Sequence, residues 1–138
     1  MDIASVYAVV LNWNLPVDTA ACLRSLLAAG IPSGNIIVVD NGSVDDSISR
    51  LRTEFGGKIC LVECGTNLGF AGGNNLGIAY ALFKGAKWVY LINNDTISAP
   101  SSLVEMKTTV EQQPTHRMFA PVIYYADEPN RIWSLGDR

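Results

Sequence analysis

Four groups of polar residues each follow an apolar run of the sequence. Asparagine, aspartate and glycine dominate these groups, and a single group of this kind is typical of a turn or a helix cap. Carboxylate and amide oxygens also suit divalent cations, and glycine lets a backbone approach a ligand closely. If the fold brings all four groups to one place, they predict a ligand site. The groups are residues 12–14, 40–43, 65–75 and 93–96.

The elements that would position these groups alternate along the chain. Continuous apolar runs predict buried strands over residues 6–11, 36–39, 58–63 and 88–92, and a fifth over 119–124. Helical patterns predict helices over residues 19–29, from a capping box at 43–46 to Gly56-Gly57, over 74–83 and from 98–100 to 113, with Asp18 as the first N-cap and Gly30 ending the first helix. The alternation predicts an α/β fold: an open, mostly parallel, doubly wound sheet with helices on both faces. Without a repeat or linker, residues 1–138 are expected to form a single domain.

Composition excludes several classes of protein. The chain has 138 residues, 49% of them hydrophobic and 17% charged, which argues against disorder. A formal charge of −3 argues against nucleic-acid binding. No apolar run approaches the roughly 18 residues of a membrane span, and no signal peptide is evident, so we expect a cytoplasmic protein, at most peripheral at the inner membrane face. An odd number of cysteines, Cys22, Cys60 and Cys64, fits a reducing compartment.

Parallel strands end at one edge of their sheet, and that edge is where ligands bind in open α/β folds. The glycine spacing fits neither a dinucleotide-binding fingerprint nor a P-loop. Residues 69–74 predict a glycine-rich loop whose backbone can approach a ligand and which runs into a helix N-terminus, an end that favours an anion. Asp95 would offer a hard oxygen to Mg²⁺, and Asp40 could accept from the N3–H of uracil or thymine. Trp13 could stack on a base or pack in the wall of the site. Together these residues predict a pyrimidine nucleoside diphosphate with a divalent metal.

Four motifs occur one after another along the chain. They read VVLNWN at residues 9–14, VVDNGSVD at 38–45, NLGFAGGNNLG at 67–77 and LINND at 91–95. This series resembles glycosyltransferase family 2, and within it the bacterial rhamnosyltransferase-like enzymes of surface polysaccharide assembly. The resemblance implies a GT-A fold and transfer of a sugar, with inversion, from a UDP- or dTDP-type donor to a saccharide or lipid-linked acceptor.

The resemblance also implies roles for individual positions. Asn93-Asn94-Asp95 occupies the family's D-x-D position, and because its first residue is asparagine, binding of Mg²⁺ or Mn²⁺ would depend mainly on Asp95, with Asn93 as a second ligand. The positions implied to contact the nucleotide sugar are Asn12, Asn14, Asp40, Asn41, Asn67, Gly69, Gly72, Gly73, Asn74 and Asn94.

Family members continue into an acceptor-binding half, where a Glu-Asp-type motif supplies the general base. Residues 132–136 resemble the segment just before that half, and Asp137 is too close to the chain end to be expected as a base. The catalytic base is therefore unknown, and we expect a donor-binding part, truncated before the acceptor half, that binds its donor with little transfer. An uncovered sheet edge would favour self-association.

Two other functions remain open at this point. One is a non-catalytic module that binds or responds to nucleotide sugars. The other is a nucleotidyltransferase, although its usual glycine-rich, basic loop after the first strand is replaced here by Asn12-Trp13-Asn14.

Overall fold

The computed structural model describes residues 1–135. Its described residues divide into two compact units, one made of residues 2–100 and the other of residue 1 with residues 101–135. The first unit carries every polar group that the sequence singled out. The expectation of a single domain over residues 1–138 stays a prediction.

A four-stranded parallel sheet forms the centre of the first unit. Its strands are β1 (Val6–Asn12), β2 (Ile36–Asp40), β3 (Cys60–Glu63) and β4 (Trp88–Asn93). They lie in the order β3-β2-β1-β4, and all three pairings are parallel. Every residue of β2 is buried, as a strand covered on both faces requires. The predicted α/β fold is confirmed, with β3 beginning later than predicted because residues 56–58 form a 3₁₀ turn.

Helices cover both faces of this sheet. They are α1 (Pro16–Ala28), α2 (Ser47–Phe55) and α3 (Gly69–Phe83). Helix α3 packs against the face that Val9 presents, whereas α1 reaches the side chain of Asn12, which points the opposite way.

The first two helices begin where the local sequence did not indicate. Helix α1 starts at Pro16, at the N-terminal position that suits proline, so Asp18 lies inside the first turn and the prediction that it is the N-cap was wrong. Helix α2 starts at Ser47, and the predicted capping box at residues 43–46 was also wrong. The Ser43 hydroxyl instead accepts hydrogen bonds from the Asn14 backbone N–H and the Asn12 side chain. Long-range partners thus displaced the predicted cap.

Helix α3 corrects the prediction for the glycine-rich segment. Residues 69–74 are not a loop: the helix already begins at Gly69. A Cβ atom at Gly73 would lie 2.3 Å from Leu11 Cδ1, and one at Gly77 would lie 2.3 Å from Val9 Cγ1. These glycines therefore let the helix pack directly on β1, and that packing outweighs the low helix propensity of glycine.

The second unit is smaller. It contains α4 (Ser102–Gln112) and a two-stranded antiparallel sheet of β5 (Ile123–Tyr124) and β6 (Ile132–Ser134). Helix α4 begins later than predicted, and β5 is only the end of the strand predicted over residues 119–124, where Pro121 lacks the N–H that a ladder needs. Strand β6 was not predicted.

Within residues 1–135, no helix has the length and apolar character needed to cross a membrane.

Candidate functional site

The ends of the four parallel strands define the candidate site. Asn12, the last residue of β1, stands opposite Asp40, the last residue of β2. On the other side of β1, Leu11 stands opposite Asn93, and Asp40 is in turn opposite Glu63. The four polar groups therefore follow strands that end at the same edge of the sheet.

A buried hydrogen-bond network joins three of these strand ends. Asn12, fully buried, donates from Nδ2 to Asp40 Oδ1 at 2.8 Å and to Ser43 Oγ at 3.1 Å. Its Oδ1 accepts from the Thr19 hydroxyl at 2.6 Å, and Thr19 Oγ1 accepts from Asn94 Nδ2 at 3.0 Å. Both polar atoms of Asn12 are thus committed inside the protein, so this side chain organises the site from beneath.

Asp40 is likewise buried and hydrogen-bonded within the protein. Its side chain is 1% exposed, and its second oxygen, Oδ2, accepts from the Ser43 backbone N–H at 3.0 Å. Each carboxylate oxygen therefore already has a protein donor. In this geometry Asp40 holds Asn12 and the loop at Ser43, and its predicted direct contact with a base stays a prediction.

Asn14 shapes the loop that follows β1. It is the only non-glycine among the described residues with a positive φ, at 54°, a conformation that asparagine tolerates better than most residues. Its Oδ1 accepts from the Val44 N–H at 2.8 Å, and its own N–H donates to Ser43 Oγ. The loops after β1 and β2 are therefore fastened together. Trp13, beside Asn14, is 52% exposed and presents an aromatic surface at this edge.

A second cluster fixes the start of α3. The buried Asn41 donates to Asn67 Oδ1 at 3.0 Å and accepts from the Leu68 N–H at 2.8 Å. Asn67 Oδ1 also accepts from the Gly69 N–H at 2.8 Å. Helix geometry leaves the next two N–H groups, of Phe70 and Ala71, without an acceptor inside the helix. These exposed donors, together with the positive end of the helix dipole, form an environment that favours an anion.

The later residues of the glycine-rich segment face the protein interior. Gly73 lies against Leu11, and Asn74 is 7% exposed and donates to the Phe70 carbonyl at 2.9 Å. Gly72 is close to Leu68, whose Cβ would be 2.9 Å from an added Cβ. Among the predicted contacts in this segment, Gly69 therefore lies at the exposed helix start, whereas Gly73 and Asn74 are buried.

The residues after β4 form the other end of the site. Asn93 and Asp95 are exposed, and Asn94 is half-buried where it meets Thr19. The thiol of Cys22 donates to the Asn93 carbonyl at 3.6 Å. Burial, and secondly the negative charge of Asp95, raise the pKa of the Cys22 thiol to about 12. Cys22 therefore contacts the end of β4 from the protein interior.

The oxygen atoms at this end fit a divalent cation that takes few ligands from the protein. No group of three or more His, Cys, Asp or Glu side chains in residues 1–135 could enclose a metal by itself. Asp95 nevertheless supplies one exposed carboxylate, with amide oxygens of Asn93 and Asn94 beside it in sequence. Mg²⁺ commonly uses one or two protein carboxylates and completes its shell with water and phosphate oxygens. The residues present fit such a shared site.

Sequence reasoning missed Thr19, Ser43 and the backbone donors of Phe70 and Ala71. A signal for Thr19 was available, because it precedes Leu23 by four residues and Leu26 by seven, so it is a polar residue on the buried stripe of α1. Ser43 had been interpreted as a helix cap. Asp137, which was not expected to act as a base, lies outside the described residues.

Comparison with known proteins identifies the family. The model of glycosyl transferase family 2 matches residues 7–138, so the chain belongs to this family. Galactofuranosyltransferase GlfT1 of Mycobacterium tuberculosis is 32% identical over 130 residues, and its counterpart in Mycolicibacterium smegmatis is 29% identical over 129. These matches cover 93% and 92% of this chain but 42% of each relative, so the chain spans less than half of their length.

Solved structures show the same fold at lower identity. S. aureus TarS 1-349 in complex with UDP has a TM-score of 0.66 at 16% identity, covering 86% of this chain and 39% of that one. The mannosyltransferase PcManGT from Pyrobaculum calidifontis, in complex with GDP-Man and Mn²⁺, has a TM-score of 0.61 at 21% identity, covering 77% and 32%. These neighbours support the GT-A-like architecture that the motifs implied.

Proposed function

We propose that the edge formed by the strand ends binds a nucleoside-diphosphate sugar, and that the protein of which this chain is the donor-binding part transfers that sugar to an acceptor. The convergence of the loops after β1, β2 and β4 with the start of α3 carries the proposal. Membership of glycosyl transferase family 2 supports it, as does the UDP bound in the complex of TarS.

The two ends of the site would hold different parts of the donor. Trp13 and Asn14 would border the base and ribose, since Trp13 is exposed and Asn14 holds the neighbouring loop in place. The N–H groups of Phe70 and Ala71 would donate to the diphosphate, whose negative charge suits a helix N-terminus. Asn12, Asp40 and Asn41 would act from below, by fixing the loops through their buried hydrogen bonds.

A divalent cation, Mg²⁺ or Mn²⁺, would be held by Asp95 with help from the amide oxygens beside it. When bound, such an ion stabilises the negative charge that develops on a leaving diphosphate. The Mn²⁺ in the complex of PcManGT supports this assignment. Asp95 itself would contribute its exposed carboxylate, and the helix donors of α3 would share the charge stabilisation.

In the proposed reaction, an acceptor hydroxyl displaces the diphosphate at the anomeric carbon with inversion. The hydroxyl must lose a proton, and a general base typically accelerates such a step by about 10²–10⁴-fold. We assign no residue of this chain as that base. We therefore expect donor binding with slow transfer to a saccharide or lipid-linked acceptor when the chain is assayed alone.

Two donor sugars have separate support. The order of motifs resembles rhamnosyltransferase-like enzymes and favours a rhamnosyl donor, whereas the names of the curated relatives favour a galactofuranosyl donor. The nucleotide is a separate question, and UDP and dTDP differ in the base and in the 2′-hydroxyl of the ribose. A comparison of UDP with dTDP therefore identifies the preferred nucleotide before either sugar is needed.

Isothermal titration calorimetry of the full chain tests the proposal. UDP, dTDP and GDP are titrated separately, each with Mn²⁺ and again with EDTA. We expect saturable binding of UDP or dTDP that is stronger with Mn²⁺. If none of the three nucleotides binds under either condition, the assignment of a donor site is wrong.

A further inference from the structure

Thr19 lies at the centre of the buried network although it belongs to neither strand-end group. It sits in the first turns of α1, fully buried, and its hydroxyl is the only atom in the described network that joins the β1 end to the β4 end. On one side it meets Asn12 Oδ1 at 2.6 Å, and on the other it meets Asn94 Nδ2 at 3.0 Å.

The directions of these hydrogen bonds follow from one another. A carboxylate can only accept hydrogen bonds, and Asp40 Oδ1 lies 2.8 Å from Asn12 Nδ2. Asn12 therefore turns its NH₂ group toward Asp40 and its oxygen toward Thr19. A hydroxyl has a single proton, and Thr19 donates it in the hydrogen bond to Asn12. It can then only accept from Asn94.

The last hydrogen bond of this series fixes the orientation of the Asn94 side-chain amide. Because its NH₂ group faces Thr19, its oxygen must face away from Thr19. Asn94 is half-buried, so part of its side chain remains accessible. The amide oxygen is then available as an acceptor next to Asp95.

We propose that Thr19 is a positioning residue that makes Asn94 present its carbonyl oxygen, and not its NH₂ group, to the bound donor. This inference rests on the proposed function, because it concerns what Asn94 offers to a nucleoside-diphosphate sugar. An oxygen in this position accepts from a hydroxyl of the donor or coordinates the cation held by Asp95. An NH₂ group there could do neither.

The test compares three variants of the full chain in calorimetric titrations with UDP. Thr19→Val keeps the size of the side chain but removes the hydroxyl, and we expect about a tenfold loss of UDP affinity, the effect of one hydrogen bond of about 1.4 kcal/mol. Thr19→Ser restores the hydroxyl and should restore the affinity. Ser47→Ala is the matched control, since its buried hydroxyl has no hydrogen-bond partner in the part of the chain that the structure describes.

Repeating the titrations with Mn²⁺ and with EDTA distinguishes the two partners of the oxygen. If Asn94 coordinates the cation, the loss in Thr19→Val appears only with Mn²⁺. If it accepts from a hydroxyl of the ribose, the loss persists in EDTA and disappears with 2′-deoxy-UDP. Either pattern supports the positioning role. Equal UDP affinities of wild type and Thr19→Val overturn it, whereas failure of the wild type to bind overturns the proposed function instead.

A measurement on the unmodified chain covers the case in which Thr19→Val does not fold. In NMR spectra of the ¹⁵N-labelled protein, one side-chain NH₂ proton of Asn94 should exchange slowly with water, because it donates to a buried oxygen. Rapid exchange of both protons, as in an exposed asparagine, would show that the amide is not held and would overturn the inference.

Discussion

Asn12 and Asp40 stand opposite each other at the ends of two neighbouring strands, and the Asn12 side chain donates to Asp40 Oδ1 at 2.8 Å in the protein interior. A second donor, the Ser43 N–H, reaches the other oxygen of Asp40. One buried carboxylate thus ties β1, β2 and the following loop together. The shape of the candidate site depends on this pairing even though neither side chain is exposed.

Replacing Asp40 with asparagine tests the pairing. The new amide has one oxygen for two converging donors, so one donor faces an NH₂ group in a buried site. We expect a loss of about 1–3 kcal/mol in the free energy of unfolding, measured by urea denaturation. Asp127→Asn, at an exposed position, is the control and should change little. Equal stability of Asp40→Asn and wild type would mean that the carboxylate does not hold these donors.

The close packing of α3 on the sheet gives a second prediction. Gly77→Ala places a Cβ 2.3 Å from Val9 Cγ1 and 3.0 Å from Val39 Cγ2, both fully buried and β-branched, so neither can move away easily. We expect a destabilisation of about 1–3 kcal/mol, reduced somewhat by the better helix propensity of alanine.

Gly73→Ala should cost less than Gly77→Ala. Its Cβ would meet the end of the Leu11 side chain, which is longer, only partly buried and able to adopt another rotamer. Gly57→Ala, with nothing within 4 Å of the added atom, serves as the control. Urea denaturation should show the largest loss of stability in Gly77→Ala, a smaller loss in Gly73→Ala and the smallest in Gly57→Ala. If Gly77→Ala is as stable as wild type, the helix stands farther from β1.

The sequence was sufficient for the strands of the parallel sheet, apart from the start of β3, and insufficient for the small antiparallel sheet and for the starts of the helices. Strands β1 and β2 could be predicted because burial on both faces imposes continuous apolar runs, and β4 carries a similar apolar run although only its Ile92 is buried. The start of α2 could not, because Ser43 is drawn away by Asn12 and Asn14, which are about 30 residues distant. Local patterns carry no information about such partners.

The candidate site shows the same division. That polar groups follow the strands was readable from the sequence, and parallel pairing then places them at one edge. The roles within the site could not be predicted, because the sequence does not show that Asp40 is buried and Asp95 is exposed. Glycines in residues 69–74 suggested a loop, whereas Gly73 lies in a helix and packs against Leu11.

The cysteines provide a third prediction that needs no ligand. Cys22 is fully buried and its pKa is raised to about 12, so at pH 8 almost none of it is thiolate. Cys60 and Cys64 are partly exposed. Titration with Ellman's reagent should therefore detect two thiols in the native chain and a third only in guanidinium chloride. Cys22→Ala should give two under both conditions, and three rapidly reacting thiols in the native wild type would contradict the burial of Cys22.

Removal of the metal or of its carboxylate gives the fourth prediction. Asp95→Asn replaces the charged ligand with an amide of similar size. The cation then loses its attraction to the negative charge of Asp95, while the fold is unchanged. We expect wild type to bind UDP about tenfold more tightly with Mn²⁺ than with EDTA, a linkage of about 1.4 kcal/mol, and Asp95→Asn to lose most of that difference.

The control for this comparison is Asp18→Asn, an exposed aspartate in the first turn of α1 whose charge should leave the Mn²⁺ dependence unchanged. Affinities are measured by calorimetry at the same ionic strength, because screening alone changes the binding of a charged nucleotide. If Asp95→Asn keeps the full Mn²⁺ dependence, the cation is held elsewhere. If wild type binds UDP equally well with Mn²⁺ and EDTA, donor binding at this edge proceeds through the helix N–H groups without a metal.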